Sequence, residues 1–208
     1  MEELTSVVSY PQRDRRFGKN SYRGNCDGRL LLSLIRQYKP RRIADPTLGS
    51  GTSKDVSDYV RSKGYEHDFF GADLKEGFDL LADPVPSSEL VFAHFPYWDI
   101  IKYSDDPRDL SASQDFSTFA SLMKSAIAHL AESLVTGGRL AVLIGDVRKK
   151  GVYYPLVRHV LDRDNCNGLK LRSVVVKLQH NVKSGSKRYG RLEDPRILHE
   201  YLVLFKKS

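Results

Sequence analysis

The sequence predicts a doubly wound α/β fold on a mainly parallel sheet, with an antiparallel hairpin at the C-terminal end. Short apolar runs alternate with amphipathic stretches along the 208 residues, as in strands interleaved with helices. The segment 139–145 is apolar over most of its length and indicates a central strand buried on both faces. Two late apolar runs, 169–178 and 198–205, flank a polar segment and favour a closing pair of strands.

The remaining elements follow from periodicity and from residues that end helices. Apolar residues at helical spacing predict helices, and Pro40 and Gly64 end the first two. Thr52 or Ser53 is expected to cap the second helix, and Gly137-Gly138 to end the third. The predicted helices are 30–38, 52–64, 116–134 and 155–161. The other predicted strands are 42–45, 68–73 and 90–94.

The basic residues are unevenly distributed. The formal charge is +7, from 33 Lys+Arg against 26 Asp+Glu. Basic residues gather at 13–23, 148–150 and 183–196. This excess permits a polyanionic partner without requiring one.

Compartment and domain organisation follow from what the composition lacks. Cys26 and Cys166 stand apart from each other and from any histidine cluster, so no metal site is expected and a reducing cytoplasm fits. No apolar run reaches the roughly 18 residues of a membrane span, and no signal block is visible. We expect one cytoplasmic domain over 1–208, monomeric or homodimeric, with 1–16 as a candidate flexible segment and 181–196 as a basic loop.

A glycine-rich turn follows the first predicted strand. It reads Asp45-Pro46-Thr47-Leu48-Gly49-Ser50-Gly51-Thr52 and precedes a helix. Such glycines allow close approach of a ligand, and a helix N-terminus offers unpaired N–H groups. The second strand ends at Asp73, where an open sheet places a carboxylate for a ribose. Together, the glycine-rich turn and Asp73 indicate a nucleotide-bearing ligand. The alternatives are that the turn merely connects a strand to a helix and that Asp73 is an ordinary surface residue.

The order of motifs resembles the DNA amino-methyltransferases, which methylate an exocyclic amine of adenine or cytosine. The turn 45–52 looks like their cofactor loop and Asp73 like their ribose-binding acid, while 22–25 is similar to the segment over the methionine end of the cofactor. The last strand, 199–206, is similar to theirs. The resemblance implies a Rossmann-like class I methyltransferase fold and S-adenosylmethionine as cofactor. The implied cofactor residues are Tyr22, Asn25, Asp45, Pro46, Gly49, Ser50, Gly51, Thr52, Asp73, Leu74 and Asp79.

The third strand runs into an altered catalytic motif, His94-Phe95-Pro96-Tyr97-Trp98. It stands where the family has Asp/Asn/Ser-Pro-Pro-Tyr/Phe. The resemblance implies that the side chain at the first position and the carbonyl at the second accept the amine hydrogens. Tyr97 would stack on the extruded base, a contact worth about 1–3 kcal/mol. His94 replaces an oxygen acceptor; a neutral imidazole has one acceptor nitrogen, so activity is expected to fall below about pH 6.5.

The predicted function is methylation of an exocyclic amine of DNA, as in restriction–modification, acting on a duplex with a flipped base. One alternative is a catalytically impaired protein with a cofactor- or nucleic-acid-binding regulatory role. Another is an amino-methyltransferase of RNA or of protein glutamine. Little chain remains for target recognition, so low specificity or a protein partner follows. Asp99 and Tyr103 are candidate pocket residues. The predicted nucleic-acid contacts are Lys149, Lys150, Lys183, Lys187, Arg188 and Arg191.

Overall fold

A computed structural model describes residues 4–180 and 193–208 of the protein. The strands are β1 (Val7–Ser9), β2 (Arg42–Asp45), β3 (Asp68–Gly71), β4 (Ser88–His94), β5 (Leu134–Ile144), β6 (Val147–Lys149), β7 (Val152–Tyr154), β8 (Leu169–Leu178) and β9 (His199–Lys207). The helices are α1 (Gly28–Tyr38), α2 (Thr52–Arg61), α3 (Phe116–Glu132) and α4 (Leu156–Leu161). Short 3-10 turns lie at Leu74–Glu76 and Leu110–Ala112.

Seven of the strands form one sheet in the order β1-β8-β9-β5-β4-β2-β3. The neighbours pair in parallel except around β9, which runs antiparallel to both β5 and β8. Strands β6 and β7 form a separate two-stranded hairpin. The predicted doubly wound, mainly parallel sheet with an antiparallel C-terminal pair is confirmed.

Helices cover both faces of this sheet. Apolar residues of α1 and α2 belong to one core cluster, and those of α3 and α4 belong to the other. Strand β5 contributes to both, because Leu140 and Val142 face the α3 side whereas Ala141 and Leu143 face the α1 side. All four are fully buried. The prediction of a central strand covered on both faces is therefore confirmed.

The end of α3 differs from the prediction. The helix ends at Glu132, and β5 already begins at Leu134 and runs through Gly137-Gly138. Gly137 has a φ of +82°, and a Cβ on Gly138 would lie 2.8 Å from the carbonyl oxygen of Val135. These glycines therefore serve an irregular strand start, where the β4–β5 register shifts, and do not terminate the helix.

Other local predictions were incomplete. The N-cap of α2 is Gly51, and no side chain caps the helix, so the predicted capping role of Thr52 or Ser53 was wrong. Strand β1 lies within the candidate flexible segment 1–16 and pairs with β8, and the β6–β7 hairpin was not predicted. No helix in residues 4–180 or 193–208 is long and apolar enough to cross a membrane.

The order in which successive strands join the sheet reverses between β2 and β4, which are parallel to each other. From β2 the chain moves to β3 on one side and then returns to β4 on the other, so β2 and β4 are adjacent in the sheet. In open α/β sheets the crevice at the carboxyl ends of such strands is the usual ligand site. Asp45 and His94 are the last residues of these two strands.

Candidate active site

A cavity of about 290 Å³ opens at the carboxyl ends of β2 and β4. This volume is at the lower end of the roughly 300–1,000 Å³ typical of small-molecule sites. Four chain segments supply most of its wall: 22–26, 45–53, 73–80 and 103–110. The remaining side is closed by His94, Phe95 and Pro96.

The buried Asp45 carboxylate organises the glycine-rich turn. It accepts hydrogen bonds from the backbone N–H and hydroxyl of Thr47, at 2.9 and 2.8 Å, and from the Ser53 hydroxyl. The Thr47 Oγ1 atom in turn accepts from the backbone N–H of His94, 2.9 Å away. Burial raises the pKa of Asp45 to about 6, although these hydrogen bonds act in the opposite direction. One carboxylate thus links the turn, the first turn of α2 and the end of β4.

Asp73 lies across the turn from Asp45. Its Oδ2 accepts from the N–H of Gly49 at 2.7 Å, and its Oδ1 accepts from the N–H of Lys75 at 3.1 Å. Gly49 has a φ of +54°, and the Lys75 ammonium donates to its carbonyl. A carboxylate can accept about four hydrogen bonds. Asp73, which is part of the cavity wall, therefore retains capacity for about two more donors, the number in a ribose diol.

The segment before α1 is tied to the start of α2. The Thr52 hydroxyl donates to Asn25 Oδ1, and Asn25 Nδ2 donates to the carbonyl of Lys19 at 2.9 Å. The N–H of Gly18 donates to Asp55 at 2.7 Å. These contacts hold residues 18–25 over the N-terminus of α2 and complete one rim of the cavity.

Two tyrosines stack on each other in the cavity wall. The rings of Tyr22 and Tyr103 stack with centroids 6.0 Å apart and planes inclined by 21°. A Cβ on Gly24 would lie 1.9 Å from Tyr103 Oη, so the stacked position requires glycine there. Burial, with Tyr22 nearby, raises the pKa of Tyr103 to about 12, which keeps its hydroxyl protonated at neutral pH.

His94 is held neutral by its surroundings. Burial lowers its pKa to about 4; Lys177 acts in the same direction and Glu200 in the opposite one. Because the folded pKa lies below the usual 6.5, the ring stays uncharged down to about pH 4. The prediction that protonation of this ring lowers activity below about pH 6.5 was therefore wrong, because the ring becomes charged only near pH 4.

Tyr97 does not lie in the cavity wall, although the sequence predicted it to stack on a base. Its hydroxyl donates to Glu200 Oε2, and its oxygen is 3.2 Å from His94 Nε2. The ring covers Gly145, where a Cβ would come within 2.6 Å of it. Glu200 and Tyr97 therefore lie behind His94, on the side away from the ligand space.

Trp98 also lies outside the cavity wall and has an unusual backbone. Its φ is +52°, a conformation that bulky residues rarely adopt. The indole packs against Phe116 and Tyr154, with centroids 5.5 and 4.9 Å away. The Lys149 ammonium lies 4.3 Å from the indole centroid and pairs with Asp99.

The predicted nucleic-acid contacts have different surroundings. Lys149 is engaged by Asp99 and Trp98, whereas Lys150 is exposed at the turn of the β6–β7 hairpin. Lys183, Lys187, Arg188 and Arg191 lie outside the described residues. Within the described part of the chain, no group of three or more His, Cys, Asp or Glu side chains could hold a metal ion.

Most predicted cofactor residues line one cavity. Those in its wall are Tyr22, Asn25, Asp45, Pro46, Gly49, Ser50, Thr52, Asp73 and Leu74. Gly51 and Asp79 are not in the wall; Asp79 Oδ1 accepts from the N–H of Leu81 at 2.9 Å within its own turn.

Sequence reasoning did not identify several residues near the site. Cys26, Phe78 and Arg108 line the cavity. Lys177 and Glu200 form the buried ion pair behind His94. The one available signal was the position of these two charges within otherwise apolar strands.

No protein-family model matches the sequence, and no curated protein does. Solved structures do match. One is a candidate DNA modification methylase from Thermus thermophilus in complex with S-adenosyl-L-methionine. The sequence identity is 23%, the match covers 62% of this chain and 51% of that chain, and the TM-score is 0.44. Another is TrmN from Thermus thermophilus. The sequence identity is 18%, the match covers 89% of this chain and 50% of that chain, and the TM-score is 0.46. This chain spans about half the length of both.

A candidate hemolysin from Lactococcus lactis is similar over most of both chains. The identity is 11%, the match covers 91% of this chain and 90% of that chain, and the TM-score is 0.53. This likeness is one of fold, and the predicted Rossmann-like fold is confirmed.

Replacing Gly24 with alanine is expected to displace Tyr103. Gly24→Ala and Gly64→Ala both place alanine at a positive φ, of +81° and +83°. This backbone conformation alone is expected to cost each variant about 1–2 kcal/mol of unfolding free energy. The new Cβ meets Tyr103 at position 24 and nothing within 4 Å at position 64. Ring-current shifts of Tyr22, measured by NMR, should therefore change in Gly24→Ala and not in Gly64→Ala. Identical tyrosine spectra in both variants would contradict the stacked pair.

Proposed function

We propose that the protein is an S-adenosylmethionine-dependent methyltransferase that acts on an exocyclic amine of a nucleic-acid base, with adenine or cytosine of DNA as the first candidates. The observation that carries the proposal is the joining of two features in one cavity. The turn held by Asp45 and Asp73 offers a nucleoside site. A hydrogen bond from the backbone N–H of His94 to Thr47 fixes the end of β4 beside it, and that strand end carries the neutral His94 ring.

The residues of the cavity fit this cofactor. Asp73 has acceptor capacity for a ribose, and the Asp45 carboxylate is a suitable neighbour for a cationic ligand. Leu48, Leu74 and Phe78 provide apolar wall for a base. When bound, S-adenosylmethionine supplies an electrophilic methyl group, whose transfer to nitrogen leaves a neutral thioether and one proton to be removed.

The chain's own contribution is to orient the amine by accepting a hydrogen bond from it. The proton that the nitrogen loses on methylation passes to the acceptor nitrogen of His94 and from there to solvent. His94 is uncharged at neutral pH and has an acceptor nitrogen, which suits a donor N–H. Phe95 is buried, and its N–H donates to the carbonyl of Leu143 at 3.3 Å, which fixes the backbone after β4. The resemblance assigns the Phe95 carbonyl as the second acceptor of the amine.

A nucleic-acid substrate is supported by charge and by the resemblance. The excess of seven positive charges is compatible with a polyanionic substrate, and Lys150 is exposed on the hairpin that follows the central strand. The predicted basic contacts at 183–191 remain part of the proposal. Duplex DNA with a flipped base is the first substrate to test, and RNA or protein glutamine comes next.

A second candidate function is cofactor binding without methyl transfer. The specific observation in its favour is Tyr97, whose hydroxyl is bonded to Glu200 instead of facing the cavity. A base entering this site would stack elsewhere, and Tyr22 and Tyr103 are the two tyrosines in the cavity wall. Such a protein would act as a regulatory or accessory factor.

Calorimetry with S-adenosylmethionine tests the cofactor. The wild-type protein is expected to bind, and Asp73→Ala should weaken binding by about tenfold to a hundredfold, since a hydrogen bond to a charged group contributes roughly 1.5–3 kcal/mol. Asp58→Ala is the matched control, because it removes an exposed carboxylate that pairs with Lys54 on α2. A folded wild-type protein that gives no binding heat would refute the cofactor assignment.

The affinity for S-adenosylmethionine is expected to depend on the charge of Asp45. The carboxylate is ionised above its pKa of about 6 and neutral below it, and a cationic ligand prefers the ionised form. The affinity should therefore be constant above about pH 6 and fall by up to about tenfold per pH unit below it. Asp45→Asn should bind weakly at every pH tested by calorimetry. His94 titrates near pH 4 and so cannot account for a fall in affinity between about pH 6 and pH 5. A wild-type affinity that is unchanged down to about pH 5 contradicts the role of Asp45.

Transfer of a labelled methyl group to single-stranded DNA, duplex DNA and RNA tests the reaction. His94→Ala should reduce transfer by about 10²–10³, the usual loss for one well-placed hydrogen-bonding group in an active site. Its affinity for S-adenosylmethionine should stay near that of the wild type. A wild-type protein that binds the cofactor but methylates none of these substrates supports the second candidate function.

A further inference from the structure

A buried chain of polar groups lies behind His94. Lys177 and Glu200 are cross-strand partners on β8 and β9 and are 8% and 5% exposed. The Lys177 ammonium donates to Glu200 Oε1, and Gln179 Nε2 donates to Oε2 at 3.1 Å. Burial opposes ionisation of Glu200, yet the Lys177 charge lowers its pKa below the usual value. Glu200 is therefore an ionised carboxylate that can only accept.

Counting donors fixes the position of each proton. Because Glu200 has no proton to donate, the single hydrogen of the Tyr97 hydroxyl points to Glu200 Oε2. The Tyr97 oxygen must then accept from the nearby His94 Nε2, 3.2 Å away. A neutral imidazole carries one N–H, so that hydrogen is on Nε2 and His94 Nδ1 has a free lone pair.

The free nitrogen is open to the ligand space. His94 is part of the cavity wall, and its Nδ1 is not among the fully buried unpaired side-chain atoms. Within residues 4–180 and 193–208, His94 makes its hydrogen bonds through its backbone N–H and Nε2. Nδ1 thus remains available to a bound molecule.

We propose that Tyr97 and Glu200 are positioning residues that lock His94 as the Nε2-protonated tautomer and present Nδ1 to the cavity as a hydrogen-bond acceptor. The site then selects a reacting atom that carries hydrogen, such as an amine or amide nitrogen or a hydroxyl. The substrate part of this inference rests on the proposed function; the tautomer does not.

Nitrogen NMR of ¹⁵N-histidine-labelled protein tests the tautomer directly. The His94 signals, assigned by their loss in His94→Asn, should show a protonated Nε2 and an unprotonated Nδ1 at neutral pH. Tyr97→Phe should convert them to a mixture of tautomers. Tyr201→Phe is the matched control, because it removes the hydroxyl that meets His199 Nε2 at 2.7 Å in a second His–Tyr pair. A proton on Nδ1 in the wild type, or unchanged His94 signals in Tyr97→Phe, overturns the proposal.

Kinetics separates this inference from the proposed function. Loss of the group that orients a catalytic imidazole can cost up to about 10⁴ in kcat, so Tyr97→Phe should lower kcat by at least about tenfold. Its affinity for S-adenosylmethionine should not change, and Tyr201→Phe should keep the wild-type kcat. If the wild type transfers no methyl group, the NMR result still decides the tautomer and only the function fails. If Tyr97→Phe keeps full kcat, the positioning role is overturned.

Discussion

The carboxylate of Asp45 extends from the last residue of β2 into a pocket of three donors. The Thr47 N–H and hydroxyl and the Ser53 hydroxyl satisfy it, and Thr47 passes the connection on to the backbone of His94. A buried carboxylate without such partners costs several kcal/mol. The glycine-rich turn, the first residues of α2 and the end of β4 are therefore fixed relative to one another. The part of the cavity wall that residues 45–53 and His94 form depends on this one interaction.

The Lys177–Glu200 pair plays a different part on the antiparallel strands. Buried ion pairs often contribute little net stability compared with apolar residues of similar size, because both charges lose their hydration. A contribution to stability is thus a weak explanation for a charged pair between β8 and β9. Its position behind Tyr97 and His94 offers a better one, since a fixed charge orients the hydroxyl next to it.

The sequence was sufficient for what depends on local patterns. Apolar periodicity located the central strand, and the spacing of Asp45, Gly49 and Asp73 identified residues that share one cavity. The sequence was insufficient where the orientation of a side chain depends on a partner that is distant along the chain. Tyr97 turns toward Glu200, which is 103 positions away, and Lys149 toward Asp99, 50 positions away. The prediction that Gly137-Gly138 ends α3 was wrong, because a glycine pair is found both at helix ends and in irregular strands.

The backbone of Trp98 has a consequence for local unfolding. A bulky residue at a φ of +52° costs of order 1–3 kcal/mol, which the aromatic packing with Phe116 and Tyr154 must offset. Tyr154 belongs to β7, and Lys149, which lies over the indole, belongs to β6. Opening of the β6–β7 hairpin therefore removes the contacts of Tyr154 and Lys149 that hold Trp98, in the turn that follows β4. The two segments should open as one cooperative unit, so their amide hydrogens should exchange at similar rates.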